Sequence, residues 1–396
     1  MKELFHVMAK PIGPLCNIGC KYCFYLEKEK MFPKNETFKM KEELLEEYIK
    51  QYIDSQPTKE VIFTWQGGEP TMLGIKYFEK IIEMQQQYAK GKIVSNSIQT
   101  NGTLLNDDWG NFLKQHNFLV GLSIDGPPKL HDAYRVDKKG LPTYEKVIKG
   151  LRVLQKHEIE FNTITVVNNI NSKKPLEVYN FLKKIGSNFI QFIPLVERLP
   201  DVKTNQLSFD LAFPPTINDE KNLPVTEWSV KPTQYGEFLI TVFDEWYKKD
   251  KGKVFVQIFD VTLGNWSGLQ PNSLCVFSET CGKAIALEHD GTVYSCDHYV
   301  YPSYKLGSIT SSSLGDMISS ERQKKFGNDK RDTLPNYCKR CDVRFACHGE
   351  CPKHRFLRAP GGEYGLNYLC SGYKKFFHHI APKMQTLTNE LLQPLT

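Results

Sequence analysis

Three cysteines at Cys16, Cys20 and Cys23, with an aromatic residue on either side of the last one, constrain this chain more than any other feature. Thiolates are the usual ligands of iron–sulfur clusters, and a cubane has four irons. Three local thiolates would leave one iron open, where a small molecule could bind and be reduced. The same spacing is also one face of a helix, which would make the cysteines small buried hydrophobes. Pro14 and Gly19 favour a loop.

The chain has 11 cysteines, an odd number that cannot all pair as disulfides. Three lie near the N-terminus and eight follow from Cys275 onward, which is what one open and two fully ligated clusters would need. With 396 residues there is room for two or three domains. The net charge of +6 is spread along the chain, so nothing demands nucleic acid. Residues 1–10 show no secretory signal, and no apolar run is long enough to span a membrane. The cytoplasm is the expected compartment.

Short apolar strands alternate with helical periodicity through the first half. Strands are expected at Leu4–Lys10, Val61–Trp65, Ser97–Thr100, Leu119–Ile124, Phe161–Val167 and Phe189–Leu195. Helices are expected at Met40–Ile53, Ile75–Tyr88, Trp109–Gln115, Thr143–His157 and Leu176–Lys184. This rhythm implies parallel pairing, and six units are too few for an eight-fold closed barrel. The expected fold is α/β: a partial, open (β/α)6 barrel of the TIM type with a C-terminal cysteine-rich iron–sulfur domain. Leu199–Lys231, rich in proline, reads as a long excursion loop. A helix at Pro232–Lys249 and a strand at Val254–Phe259 follow, and His289-Asp290-Gly291 reads as a hairpin turn. The domain expectation is therefore a barrel over 1–232, a connecting helix and strand over 233–273, a cluster domain over 274–371 and a terminal helix over 372–396.

Chemistry-bearing residues fall just after strand ends, the edge where α/β sheets bind ligands. Gly67-Gly68-Glu69-Pro70 joins a strand to a helix; its glycines let backbone approach a ligand, and its carboxylate could take an ammonium group. It is equally an ordinary turn. Ser123 and Arg135 could hold a carboxylate, although each is commonly structural. Cys338, Cys341, Cys347 and Cys351 are spaced for metal, with structural zinc and iron–sulfur both open. Asp297, next to Cys296, could accept a proton, and His298 is a rival base.

Together these stretches resemble the radical S-adenosylmethionine enzymes that carry a twin-cluster auxiliary domain of the SPASM type. Cys23-Phe24-Tyr25, Gln66 through Pro70, Gln99 through Thr103, Leu119 through Pro127 and Tyr294-Ser295-Cys296-Asp297 are similar to the anaerobic sulfatase-maturating enzymes within them. The resemblance implies three 4Fe–4S clusters and S-adenosylmethionine. Cys16, Cys20 and Cys23 would hold the open cluster, with Tyr22, Gly68, Glu69, Ser123, Arg135, Leu195 and Val196 around the cofactor. Cys275, Cys281, Cys296 and Cys351 would ligate the first auxiliary cluster, and Cys338, Cys341, Cys347 and Cys370 the second. Asp297 would be the base. The implied reaction converts a cysteine or serine of an unfolded sulfatase polypeptide to Cα-formylglycine, through hydrogen abstraction at Cβ by a 5′-deoxyadenosyl radical. Its electron donor would be of the flavodoxin or ferredoxin kind. A peptide maturase that forms thioether or other crosslinks, and a binding scaffold without turnover, are the rival readings.

Overall fold

The computed structural model describes residues 3–201, 209–215, 223–268 and 274–392. Parts of the expected excursion loop, of the boundary before the cluster domain and of the C-terminal tail lie outside the described residues. In chain order the strands are β1 (His6–Lys10), β2 (Glu60–Trp65), β3 (Ile93–Thr100), β4 (Leu119–Ser123), β5 (Phe161–Val167), β6 (Phe189–Pro194), β7 (Phe255–Val256), β8 (Ala284–Glu288), β9 (Thr292–Tyr294) and β10 (Lys305–Ser308). Helices at Glu42–Ser55, Ile75–Tyr88, Asp107–Gln115, Tyr144–Lys156, Pro175–Lys184 and Pro232–Lys249 follow β1 to β6 in turn. The α/β class and its strand–helix rhythm are thus as the sequence leads one to expect.

The chain packs as two compact units. The first comprises residues 1–124, 131–162 and 282–327. In it β1, β2, β3 and β4 pair in parallel, in sequence order. The alternation of β2 turns Val61, Phe63 and Trp65 inward, onto the Leu45, Tyr48, Ile49 and Tyr52 face of helix Glu42–Ser55. Each large side chain buried there contributes about 1.5–3 kcal/mol. The free edge of β1 is taken by β8, again in parallel, with Lys10 opposite Glu288. Strands β8, β9 and β10 then form antiparallel neighbours. The β8–β9 turn is closed by the Asp290 carboxylate, which accepts from the Thr292 N–H, with Gly291 at φ +83°.

The second unit comprises residues 125–130, 163–281 and 328–396. Its β5, β6 and β7 are parallel. Helix Pro232–Lys249 lies against helix Cys370–Leu392 so closely that a Cβ on Gly236 would meet the Gly372 carbonyl at 2.6 Å. One expectation fails here. Val254–Phe259 is not a strand: only Phe255–Val256 is extended, and a helix runs over Gln257–Trp266. Ile258, Phe259, Val261, Thr262 and Gly264 are its buried residues, with 258/261 and 259/262 three apart, which follows a helical face and not strand alternation. Phe259 meets Phe243 at 5.1 Å and Phe376 at 6.1 Å.

Among the described residues no helix is long and apolar enough to cross a membrane. The N-terminus of helix Asp107–Gln115 depends on Asn106, whose side-chain oxygen accepts from the Trp109 N–H at 3.0 Å. Asn106→Ala should lower stability by about 1 kcal/mol in urea denaturation.

Candidate active site

Cys16, Cys20 and Cys23 sit on an irregular loop that leaves β1 at Lys10, so the helical-stripe reading is set aside. The loop is fastened to the segment after β4. Gly19 N–H donates to the Val136 carbonyl at 2.8 Å, Lys21 N–H to the Tyr134 carbonyl at 2.9 Å, and Ile18 bridges Asp137. A tight turn closes the run, with the Cys23 N–H on the Cys20 carbonyl.

The double glycine after β2 holds the loop from the other side. Gly68 N–H donates to the Gly13 carbonyl at 2.7 Å and Glu69 N–H to the Leu15 carbonyl at 2.9 Å. A Cβ on Gly68 would stand 1.9 Å from the Leu15 carbonyl oxygen, so only glycine fits. The close approach expected of these glycines is therefore made at least to the backbone just before Cys16.

Glu69 is fully buried, and its carboxylate accepts from Thr71 N–H and O–H, Thr100 O–H and Asn101 N–H. Burial pushes its pKa up while these four donors pull the other way. Asn101, so placed, donates from Nδ2 to Asn17 Oδ1 at 2.9 Å and lies 3.7 Å from Cys16 Sγ. Its own oxygen accepts from Thr103, which in turn accepts from Asn17.

Above the loop opens a cavity of about 200 Å³. All three cysteines line it, with Tyr22, Gly68, Ser123, Arg135 and Asp297. Glu69 is not among the lining residues; its carboxylate faces into the fold. Arg135 is buried and donates to the Tyr22 hydroxyl at 3.0 Å. Ser123 accepts from Gln99 at 2.9 Å. Asp297 is paired at 2.5 Å with Lys10, a buried lysine whose ammonium also stands 3.8 Å over the Tyr25 ring. Tyr25 donates to Glu288 at 2.5 Å. The β1–β8 register, with Lys10 opposite Glu288, assembles this chain of charges. His298, the rival base, packs edge-on against Phe24 at 5.6 Å and does not line the cavity.

Burial pushes the Cys16 thiol up to about 11 and raises Cys23 as well. Such thiols become thiolates when a cation supplies the compensating charge. Among the described residues no three His, Cys, Asp or Glu side chains converge tightly enough for one metal ion. A cubane does not require that, because each cysteine holds a different iron. Three thiols lining one open cavity, Cys16 buried and Cys20 and Cys23 half-buried, fit a cluster.

Residues 11–182 match the Radical SAM superfamily model, and residues 275–342 match SPASM, described as an iron–sulfur cluster-binding domain. The chain is 48% identical over 387 residues to the serine-type anaerobic sulfatase-maturating enzyme of Bacteroides thetaiotaomicron, covering 98% of this chain and 92% of that one. The chain belongs to the anaerobic sulfatase-maturating enzymes. A cysteine-type member from Clostridium perfringens is 31% identical, covering 97% of this chain and 98% of that one. The solved structure of native anSMEcpe with bound AdoMet and Cp18Cys peptide matches with a TM-score of 0.82 at 30% identity, covering 98% of this chain and 99% of that one.

The remaining cysteines of this maturase are divided. Cys296 belongs to the first unit. Cys275, Cys281, Cys338, Cys341, Cys347, Cys351 and Cys370 belong to the second. Burial raises Cys275, Cys338 and Cys351, and pushes Cys347 up to about 12 and Cys370 to about 11. Cys351 feels the charge of Cys275 and Cys281, while Cys370 feels that of Cys338 and Cys341. Leu195 and Val196 are buried in the second unit. The Leu195 N–H donates to the Val167 carbonyl, and its carbonyl accepts from Val230.

Sequence reasoning alone did not single out Lys10, Asn17 or Gln99 as site residues. A lysine ending an N-terminal strand reads as solvated, and only the strand register reveals its partner. Gly68→Ala should cost about 3 kcal/mol or more through overpacking and loosen the cysteine loop. Guanidinium denaturation and iron content after anaerobic reconstitution would both fall.

Proposed function

We propose that this maturase oxidises a serine or cysteine side chain of a sulfatase polypeptide to Cα-formylglycine. The observation that carries the reading is a cavity lined both by three cysteines and by a carboxylate paired with a buried lysine. Cys16, Cys20 and Cys23 would hold a 4Fe–4S cluster. Tyr22, Gly68, Ser123 and Arg135 line the space for S-adenosylmethionine, and Leu195 and Val196 are assigned to it by resemblance alone. Bound there, the two groups supply the one-electron chemistry that removes a hydrogen atom from Cβ.

The protein's own part is placement and proton transfer. Lys10 holds the Asp297 side chain in place by their ion pair, so that it can accept the hydroxyl or thiol proton of the residue being oxidised. Arg135, held on Tyr22, offers a fixed cation where a cofactor carboxylate could lie. Glu69 is assigned to shaping the loop, since its four donors satisfy its oxygens. Cys338, Cys341, Cys347 and Cys370 form one auxiliary ligand set. Cys275, Cys281 and Cys351 begin the other, with Cys296 added by resemblance.

The serine-type relative is the more similar of the two types compared, so serine is expected to be accepted. The client is an unfolded segment of the Cys/Ser-x-Pro/Ala-x-Arg kind, the electron donor a flavodoxin or ferredoxin, and the compartment the cytoplasm.

The test is anaerobic incubation with S-adenosylmethionine, reductant and a short peptide of that pattern carrying serine or cysteine, read by mass spectrometry. An aldehyde in place of the hydroxyl or thiol is expected. Loss of two hydrogens with a new crosslink would instead assign the chain to peptide crosslinking. Asp297→Asn should keep its iron but form product about 10²–10⁴-fold more slowly. Cys20→Ala should abolish cofactor cleavage while auxiliary iron remains.

A further inference from the structure

Two cations are buried in the second unit beside the auxiliary cysteines, and among the described residues neither forms an ion pair with a carboxylate. Lys330 is fully buried. Its ammonium donates to the carbonyls of Cys275 at 2.5 Å, Val276 at 2.9 Å and Ser278 at 2.5 Å. Three acceptors match the three N–H bonds of a protonated amine; a neutral amine would turn a lone pair toward one of them. Arg355 is 4% exposed and donates to the carbonyls of Lys330, His348, Gly349 and Glu350. The buried acid nearby, Glu350, is taken up by His354 at 2.9 Å and Asn367 at 2.6 Å.

Burying a charge against neutral carbonyls alone is unfavourable, so a compensating negative charge is to be expected. The cysteines beside Lys330 could supply it as thiolates. Lys330 lies close enough to Cys275, Cys281 and Cys351 for their charges to interact. Arg355 likewise lies within range of Cys351, Glu350, Cys338 and Cys347. Lys330 is bonded to the backbone of the first of these cysteines, and Arg355 is bonded to the Lys330 carbonyl.

We propose that Lys330 is the fixed counter-charge of the auxiliary cluster held by Cys275, Cys281 and Cys351, and that it raises that cluster's reduction potential. This rests on the reading that these cysteines bind an iron–sulfur cluster. When the oxidised cluster accepts one electron, its net charge becomes one unit more negative. A buried ammonium stabilises that product more than the reactant, and potentials of protein clusters respond to net charge and burial. The lysine is thus a positioning and tuning residue for an electron acceptor.

The test uses the full chain carrying Cys16→Ala, Cys20→Ala and Cys23→Ala, so that only auxiliary clusters give a signal. It is reconstituted anaerobically and titrated with dithionite and mediators, followed by electron paramagnetic resonance, with iron counted in each sample. Lys330→Met should shift the reduced-to-oxidised ratio of one auxiliary cluster at least tenfold toward oxidised at fixed potential. For a one-electron couple that is a fall of about 59 mV. Lys330→Arg should stay within twofold of the parent. Iron lost from Lys330→Met and kept in Lys330→Arg would also support the charge. An unchanged potential in Lys330→Met overturns the proposal. So does loss of iron from both variants, which would make the lysine a mere fastener of its loop. Absence of any auxiliary signal in the parent would overturn the cluster reading itself.

Discussion

The buried carboxylate of Glu69 is the interaction on which the first unit's chemistry depends. It gathers donors from its own turn and from the end of β3, and so fixes Asn101 against Asn17 and Cys16. The glycines before it lay backbone directly on the strand-to-loop segment that precedes Cys16. A loop of this irregularity has little helical or sheet bonding of its own. Its shape is imposed by neighbours: the double-glycine turn on one side and residues 134–137 on the other. Three thiols can then be presented to a cavity without a fourth from the same loop.

A second constraint is strand register. β8 lies along β1 residue for residue, and that pairing sets Lys10 opposite Glu288. Asp297, a few residues beyond β9, reaches Lys10 because of it. A slip of one residue would turn Lys10 to the other face of the sheet. The Asp297 end of the cavity therefore depends on a pairing between strands more than two hundred residues apart in sequence.

Much of this was legible in the sequence, for identifiable reasons. Cys16, Cys20, Cys23 and the double glycine announce themselves because spacing and residue type carry the chemistry. The six strand–helix units show through periodicity, and Ile75–Tyr88 was delimited to the residue. The helix at Gln257–Trp266 was missed because its apolar residues begin directly after a two-residue strand and read as one extended run. Lys10, Lys330 and Arg355 were invisible because a cation in a sequence is usually solvated, and only packing shows that these are buried. Glu69 was legible as important, but its role was not: a carboxylate beside two glycines suggests a ligand contact, and the four donors around it come from residues that only the fold brings near.

The central claim is that the loop grips a cubane by three cysteines and leaves its fourth iron facing the cavity beside Asp297. The most direct measurement is electron–nuclear double resonance on the reduced, reconstituted enzyme given S-adenosylmethionine labelled with ¹⁵N and ¹⁷O in its methionine part. Hyperfine coupling from both labels to one iron is the predicted result. A full cluster signal with no coupling from either label would show that the fourth iron is closed to the cofactor, and would contradict the account.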